Sequence, residues 1–159
     1  TNTICLQNTS VATFAAAEIY AVIKFDLTSF NNYNGLLSGT DHGIIGGSTS
    51  YNFYDFSPFW NPSIAYAYLN NNNTANRLSN PLNGTAGYGI NNPCIVRFVT
   101  NTGGPQTVSN IRFGTDRTYG SRNWIGFIAE MLVFNAVLSS SQRQSVMSYL
   151  SAKWGIAIS

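Results

Sequence analysis

Residues 124–155 read WIGFIAEMLVFNAVLSSSQRQSVMSYLSAKWG. From Gly126 to Asn135, Phe127, Ala129, Met131 and Val133 fall on one alternating face and Ile128, Leu132 and Phe134 on the other. Both faces are mostly apolar, which predicts a strand packed on both sides. Glu130 shares the face of Ile128 and Leu132, and its carboxylate there needs a hydrogen-bond partner or a rim position. A helix follows. Ser139 and Gln142 form a Ser-x-x-Gln capping box, and Gly155 stands where a left-handed C-cap belongs. Val146, Met147, Leu150 and Trp154 make one apolar stripe, with Trp154 expected in the core. A helix with one such stripe packs on a neighbour, and the preceding strand's sheet is the nearest candidate.

Going toward the N-terminus, CIVRFVT (94–100) is a strand and Ser109–Gly114 a further short one. IAYAYL (64–69) alternates cleanly, and 51–59 is aromatic. AAAEIYAVIKFD (15–26) is one long strand, with Ile19, Ala21, Ile23 and Phe25 opposite Tyr20, Val22 and Lys24. Glu18 could pair with Lys24 or Arg97 and is expected at the surface or rim. Thr3–Leu6 is a short edge strand, Leu36–Gly39 starts a partner strand, and 41–50 is Gly-rich. Phe30–Gly35, the Asn run 70–73, Asn83-Gly84, Asn91-Asn92-Pro93 and 101–105 are turns, and Thr115–Asn123 is a loop. Many short strands with polar turns and one terminal helix predict an all-β fold, an antiparallel β-sandwich or jelly roll over residues 1–159.

The pattern Trp124-x-Gly126-x-Ile128-x-Glu130, Phe134-Asn135, Leu138-Ser139, Arg143 and Tyr149-Leu150-x-x-Lys153-Trp154-Gly155 closely resembles the end of concanavalin A-like, LamG-type jelly-roll domains. The match covers about the last forty residues. The resemblance implies a single lectin-like domain excised from a longer protein of a secreted, phage or large-virus surface. Its relatives include lectins, adhesion modules, glucanases and polysaccharide lyases, so it leaves function open.

Composition narrows the choice. Charged residues are 9% and hydrophobic residues 44%, with polarity carried by Asn, Ser, Thr and Gly. Neutral hydrogen-bonding surfaces of this kind suit extracellular or virion proteins and sugar contact. The net charge is +2 without a basic cluster, which argues against nucleic acid. No apolar run approaches the roughly 20 residues of a membrane span. Cys5 and Cys94 are compatible with one disulfide or with two buried thiols. Sequons stand at Asn8, Asn72 and Asn83.

Chemistry has few candidates. A glycosidase needs two acids flanking the scissile bond. The six acids are Glu18, Asp26, Asp41, Asp55, Asp116 and Glu130, and the Glu-x-Asp-x-x-Glu run of the related glucanases is absent. Jelly-roll lyases combine Tyr, His and Arg, which here would be His42 with Tyr51 and Tyr66 and the distant Arg112, Arg117 or Arg122. Calcium, the one cofactor considered, would need oxygens from Asp41, Asp116 and Asn123. Zinc fits one His and two distant Cys poorly. Sugar binding wants aromatic platforms beside polar donors: Tyr54, Trp60 and Tyr68 near the Asn-rich segments, or Tyr119 and Trp124 near Asp116, Arg117, Arg122 and Asn123. The expected role is therefore a carbohydrate-binding or adhesion module for polysaccharide or glycoprotein glycans. A polysaccharide-degrading enzyme and a structural capsid or fibre module bound to other subunits are the alternatives.

Overall fold

The computed structural model describes residues 6–7, 13–25, 34–40, 43–46, 53–55, 66–69, 93–100, 104–116 and 119–158. Their strands are β1 (Leu6–Gln7), β2 (Thr13–Ala16), β3 (Glu18–Phe25), β4 (Asn34–Ser38), β5 (Gly43–Gly46), β6 (Phe53–Asp55), β7 (Tyr66–Leu69), β8 (Cys94–Val99), β9 (Gln106–Ser109), β10 (Arg112–Phe113), β11 (Thr115–Asp116), β12 (Tyr119–Asn123) and β13 (Gly126–Phe134). One helix, α1 (Ser140–Trp154), closes the described chain. The described residues are thus mostly strands with one C-terminal helix, an arrangement consistent with an all-β fold. A four-stranded antiparallel sheet has the order β13-β3-β8-β7. A seven-stranded sheet is built on β1-β10-β4-β12-β11, with β5 and β6 continuing from β4. β2 and β9 make a separate pair.

The four-stranded sheet has two faces with different partners. Ile19, Ala21 and Ile23 of β3 and Cys94, Val96 and Phe98 of β8 join Leu36 and Leu37 of β4, Val108, Ile111 and Trp124 in one buried cluster. That cluster draws on both large sheets. Tyr20, Val22 and Ile95 point the other way and meet Met147 and Leu150 of α1 and Ile156. Within the span read as one strand, 15–26, the alternation from Ile19 to Ile23 is therefore the alternation between two cores. A strand covered on both faces has few places for charge, so the buried Glu18 and Arg97 must pair. Arg97 Nε donates to Glu18 Oε1 at 2.5 Å.

Several local expectations are corrected. The long strand 15–26 breaks at Ala17, where β2 leaves for β9 and β3 stays between β13 and β8. Ala17 N donates to Phe134 O and its carbonyl accepts from Thr100 N. Asn34 and Gly35 belong to β4 rather than to a turn. The span 109–114 turns a corner at Asn110, whose φ of 54° is a left-handed conformation that Asn tolerates. Its Nδ2 donates to Thr40 Oγ1 at 2.8 Å, which fixes the corner. Residues 115–116 and 119–123 are strands, not loop. Their polar content hid them, because their partners are β4 and each other rather than an apolar layer.

The closing strand is also corrected. It lies at the edge of its sheet, and Phe127 is 68% exposed. Its register slips between Ile128 and Glu130: Ile128 faces Ile23 and Glu130 faces Val22. The extra residue, Ala129, is a β-bulge that exchanges the faces beyond it. Ile128, Met131 and Val133 consequently pack together in the inter-sheet core. Leu132 and Phe134 pack toward α1.

Gly35 shows how closely the strands meet. A Cβ there would overlap the backbone of Thr115 and Asp116, whereas one on Gly104 would meet nothing within 4 Å. Gly35→Ala is expected to cost about 1–3 kcal/mol, as overpacking does, and Gly104→Ala close to nothing. Urea denaturation of the two variants checks this pair.

Glu18 makes stability pH-dependent. Burial works to raise its pKa, but hydrogen bonds from Arg97, Tyr20 and the Leu138 amide outweigh it and hold the carboxyl below 4.5. A depressed carboxylate contributes stability above its unfolded pKa and loses it as pH falls through the folded one. Glu18→Gln, which leaves Arg97 buried without its carboxylate, is expected to cost about 3–5 kcal/mol at neutral pH. Urea midpoints should converge on the wild-type value as pH drops well below 4.5.

Candidate functional site

The exposed large apolar side chains among the described residues are Phe127 at 68%, Tyr149 at 47%, Trp154 at 39% and Val137 at 37%. Three of these four are aromatic, and local structure places them on one rim. The capping box of α1 is complete: Gln142 N donates to Ser139 Oγ at 3.3 Å, and Ser139 N to Gln142 Oε1 at 2.9 Å. Gly155, at φ 65°, stops the helix and returns its N–H to Ser151 O. The last turn then lies over the edge strand β13, where only one neighbour covers the sheet. Trp154, expected in the core, is therefore at the rim.

Glu130 organises that rim. Its Oε2 accepts from Trp154 Nε1 at 2.7 Å. Its Oε1 accepts from Tyr149 Oη at 3.0 Å and Lys153 Nζ at 3.1 Å. Lys153 also donates to Tyr149 Oη at 2.9 Å and lies 5.3 Å and 5.5 Å from the Tyr149 and Trp154 ring centroids. The Trp154 bond foremost, with those from Lys153 and Tyr149, holds the Glu130 carboxyl below 4.5. The requirement that Glu130 find partners at a rim is met by residues of the same closing motif. Phe127 stands across from Lys24, whose ammonium lies 5.9 Å from the ring centroid. Lys24 and Val22 share a face of β3, so Phe127 and Glu130 lie on the same side of the sheet, one alternation apart at about 7 Å.

The rim is thus an aromatic surface whose polar atoms are locked. Among aromatic side chains, Tyr and Trp combine an apolar body with a polar tip and are favoured where a surface meets a partner. On the inter-sheet side of the same strand, a 530 Å³ cleft is lined by Phe113, Gly114, Trp124, Ile128, Ala129 and Met131, among others. Trp124 is 9% exposed and belongs to the core beside that cleft.

Of the residues expected to bind a ligand, Asp116 is buried and accepts from Arg122 Nη1 at 2.9 Å. Its carboxylate is committed inside the sheet, which leaves it a structural anchor of β11 and not an open calcium ligand. Asn123 ends β12, half-buried, with its backbone paired to Thr115 and Gly35. Tyr54 lies in β6, Tyr66 and Tyr68 in β7, and Tyr119 starts β12. His42, Asp41, Tyr51, Trp60 and Arg117 lie outside the described residues, as do the three sequon asparagines Asn8, Asn72 and Asn83. Among the described residues no group of three His, Cys, Asp or Glu gathers as a metal site. Cys94 is a free thiol in the core, and burial pushes its pKa up to about 12, so it is unreactive there. Cys5 lies outside the described residues. No helix among them is long and apolar enough to cross a membrane.

Sequence reasoning missed Phe127 and Tyr149 as surface aromatics and placed Trp154 inside. The available signal was the i, i+4 and i+5 spacing of Tyr149, Lys153 and Trp154 with one unpaired acid upstream. Comparison with protein-family models, curated proteins and solved structures finds no match. The resemblance in the closing motif therefore stands on its own residues.

The rim makes a direct prediction. A hydrogen bond contributes about 0.5–1.5 kcal/mol net, and Glu130→Ala removes three acceptor contacts. Amide exchange in residues 149–155 is expected to quicken several-fold or more, with residues 140–146 little changed. Hydrogen-exchange mass spectrometry distinguishes this from a helix that loosens along its whole length.

Proposed function

We propose that the protein is a carbohydrate-binding or adhesion module contacting cell-wall or cell-surface glycans. In this reading it is a concanavalin A-like jelly roll displayed outside the cell or on a virion surface. The observation that carries it is the rim of Phe127, Tyr149 and Trp154, three exposed rings on one side of one sheet edge. Exposed apolar groups clustered in this way mark places where a partner sits. The flat apolar faces of sugar rings complement aromatic rings, and the surrounding chain is rich in neutral hydrogen-bonding residues. The closing motif and the mostly antiparallel sheets with their terminal helix support the same reading.

A degradative role draws less support from the placed carboxylates. Glu18, Asp116 and Glu130 each hold a cation. Glu18 and Glu130 have lowered pKa values, whereas a general acid needs a raised one.

Purified protein incubated with a panel of soluble algal and bacterial wall polysaccharides is expected to bind without releasing fragments. Trp154→Ala and Phe127→Ala should each weaken binding about tenfold, the effect of losing roughly 1.4 kcal/mol of ring contact. Release of fragments would favour the enzyme. A blank panel with stable oligomers in solution would favour the capsid or fibre module.

A further inference from the structure

We propose that the rim selects acidic glycans, those bearing a carboxylate or sulfate, over neutral ones; the inference rests on the glycan-binding reading and names its substrate class. It follows from which hydrogen-bonding positions the rim has already used. Glu130 offers about four acceptor positions, and three are taken by Trp154, Tyr149 and Lys153. The Tyr149 hydroxyl gives its proton to Glu130 and accepts from Lys153. The Trp154 N–H is spent on Glu130. A neutral sugar, whose hydroxyls both donate and accept, finds few acceptors left.

Donors remain. Lys153 has three N–H groups, and two are used by Glu130 and Tyr149. Lys24 makes no hydrogen bond among the described residues, and its ammonium lies over the Phe127 ring. Among the described residues, two ammonium groups against one carboxylate leave the rim with one positive charge in excess. The free donors flank the rings: Lys24 beside Phe127, and Lys153 between Tyr149 and Trp154. A chain laid across the rim would stack its sugar faces on the rings and bring an anionic substituent to an ammonium. The charge and the remaining donors complement an anion. They complement a hydroxyl-only ligand less well.

The test uses two matched pairs: oligogalacturonate against its methyl ester, and dextran sulfate against dextran, each titrated into the intact protein at low and moderate salt. At least one acidic member is expected to bind about fivefold or more tightly than its neutral partner, the factor one ion pair supplies near 4 Å in water. The preference should shrink as salt rises. Whichever pair shows it identifies carboxylate or sulfate as the source. Lys24→Gln should weaken the acidic member several-fold more than the neutral one and so remove most of the preference, and Lys24→Arg, which keeps the charge, should retain it. Trp154→Ala should weaken both members. Equal binding within both pairs, still lost in Trp154→Ala, overturns the acidic selectivity and leaves the glycan reading standing. Acidic binding indifferent to both Lys24→Gln and Trp154→Ala overturns the inference in favour of unspecific charge attraction. No binding to any probe overturns this inference and denies the glycan reading its support.

Discussion

The buried carboxylate of Glu18 is the contact on which the arrangement depends. It sits at the start of β3, fully enclosed, and accepts from Arg97 on β8, from Tyr20 on its own strand and from the amide of Leu138. One side chain thus ties the central strands of the four-stranded sheet to the corner that launches α1. A carboxylate and a guanidinium taken out of water gain little net stability as a pair, but each is costly without the other. The arrangement therefore acts as a constraint on geometry. It fixes where the helix begins, and the Tyr20 ring, edge-on to Phe134 at 6.0 Å, fills the space beneath.

A second carboxylate holds the other end. Glu130, carried on the edge strand, receives Tyr149, Lys153 and Trp154 from the last two turns of α1. The helix buries only a narrow stripe, Met147 and Leu150, against the sheet. Its two ends are set by acids of the sheet beneath it, Glu18 before the N-cap and Glu130 at the C-terminal turns. The β-bulge at Ala129 makes this possible. By slipping the register one residue, it turns Glu130 onto the side of Val22, Leu132 and the helix and sends Ile128 into the inter-sheet core. A regular strand would have put Ile128 and Glu130 on one side. The same slip exposes the start of β13, so that Phe127 stands clear of the core beside the fastened helix end.

Much of this was legible in the residues. The capping box and the Gly155 stop are local signals that appear as read. The alternation from Ile19 to Ile23 appears too, within a span 15–26 that breaks at Ala17, and so does most of the strand 94–100, which ends at Val99. What was not legible is non-local. A bulge leaves no mark in an alternating pattern. The polar strands β11 and β12 are held by backbone pairing and by Asp116–Arg122, and neither shows in hydropathy. Glu18 looked like a rim residue because nothing nearby in sequence shows that a helix will cover it. Trp154 lies on the apolar stripe, yet the helix overhangs an edge strand there, and only the strand order reveals that. The rim aromatics escaped notice for the same reason: exposure is a property of which neighbour is missing.

The central claim is that the strand and helix at the end of the described chain fix an aromatic rim that meets a ligand. Indole N–H resonances report on it directly, because Trp154 donates to Glu130 at the rim while Trp124 lies in the core. In a nitrogen-15 correlation spectrum titrated with a polysaccharide that the protein binds, the Trp154 indole signal should move progressively and the Trp124 signal should stay in place. A stationary Trp154 signal with movement at Trp124 or elsewhere would place the ligand away from the rim and contradict the account.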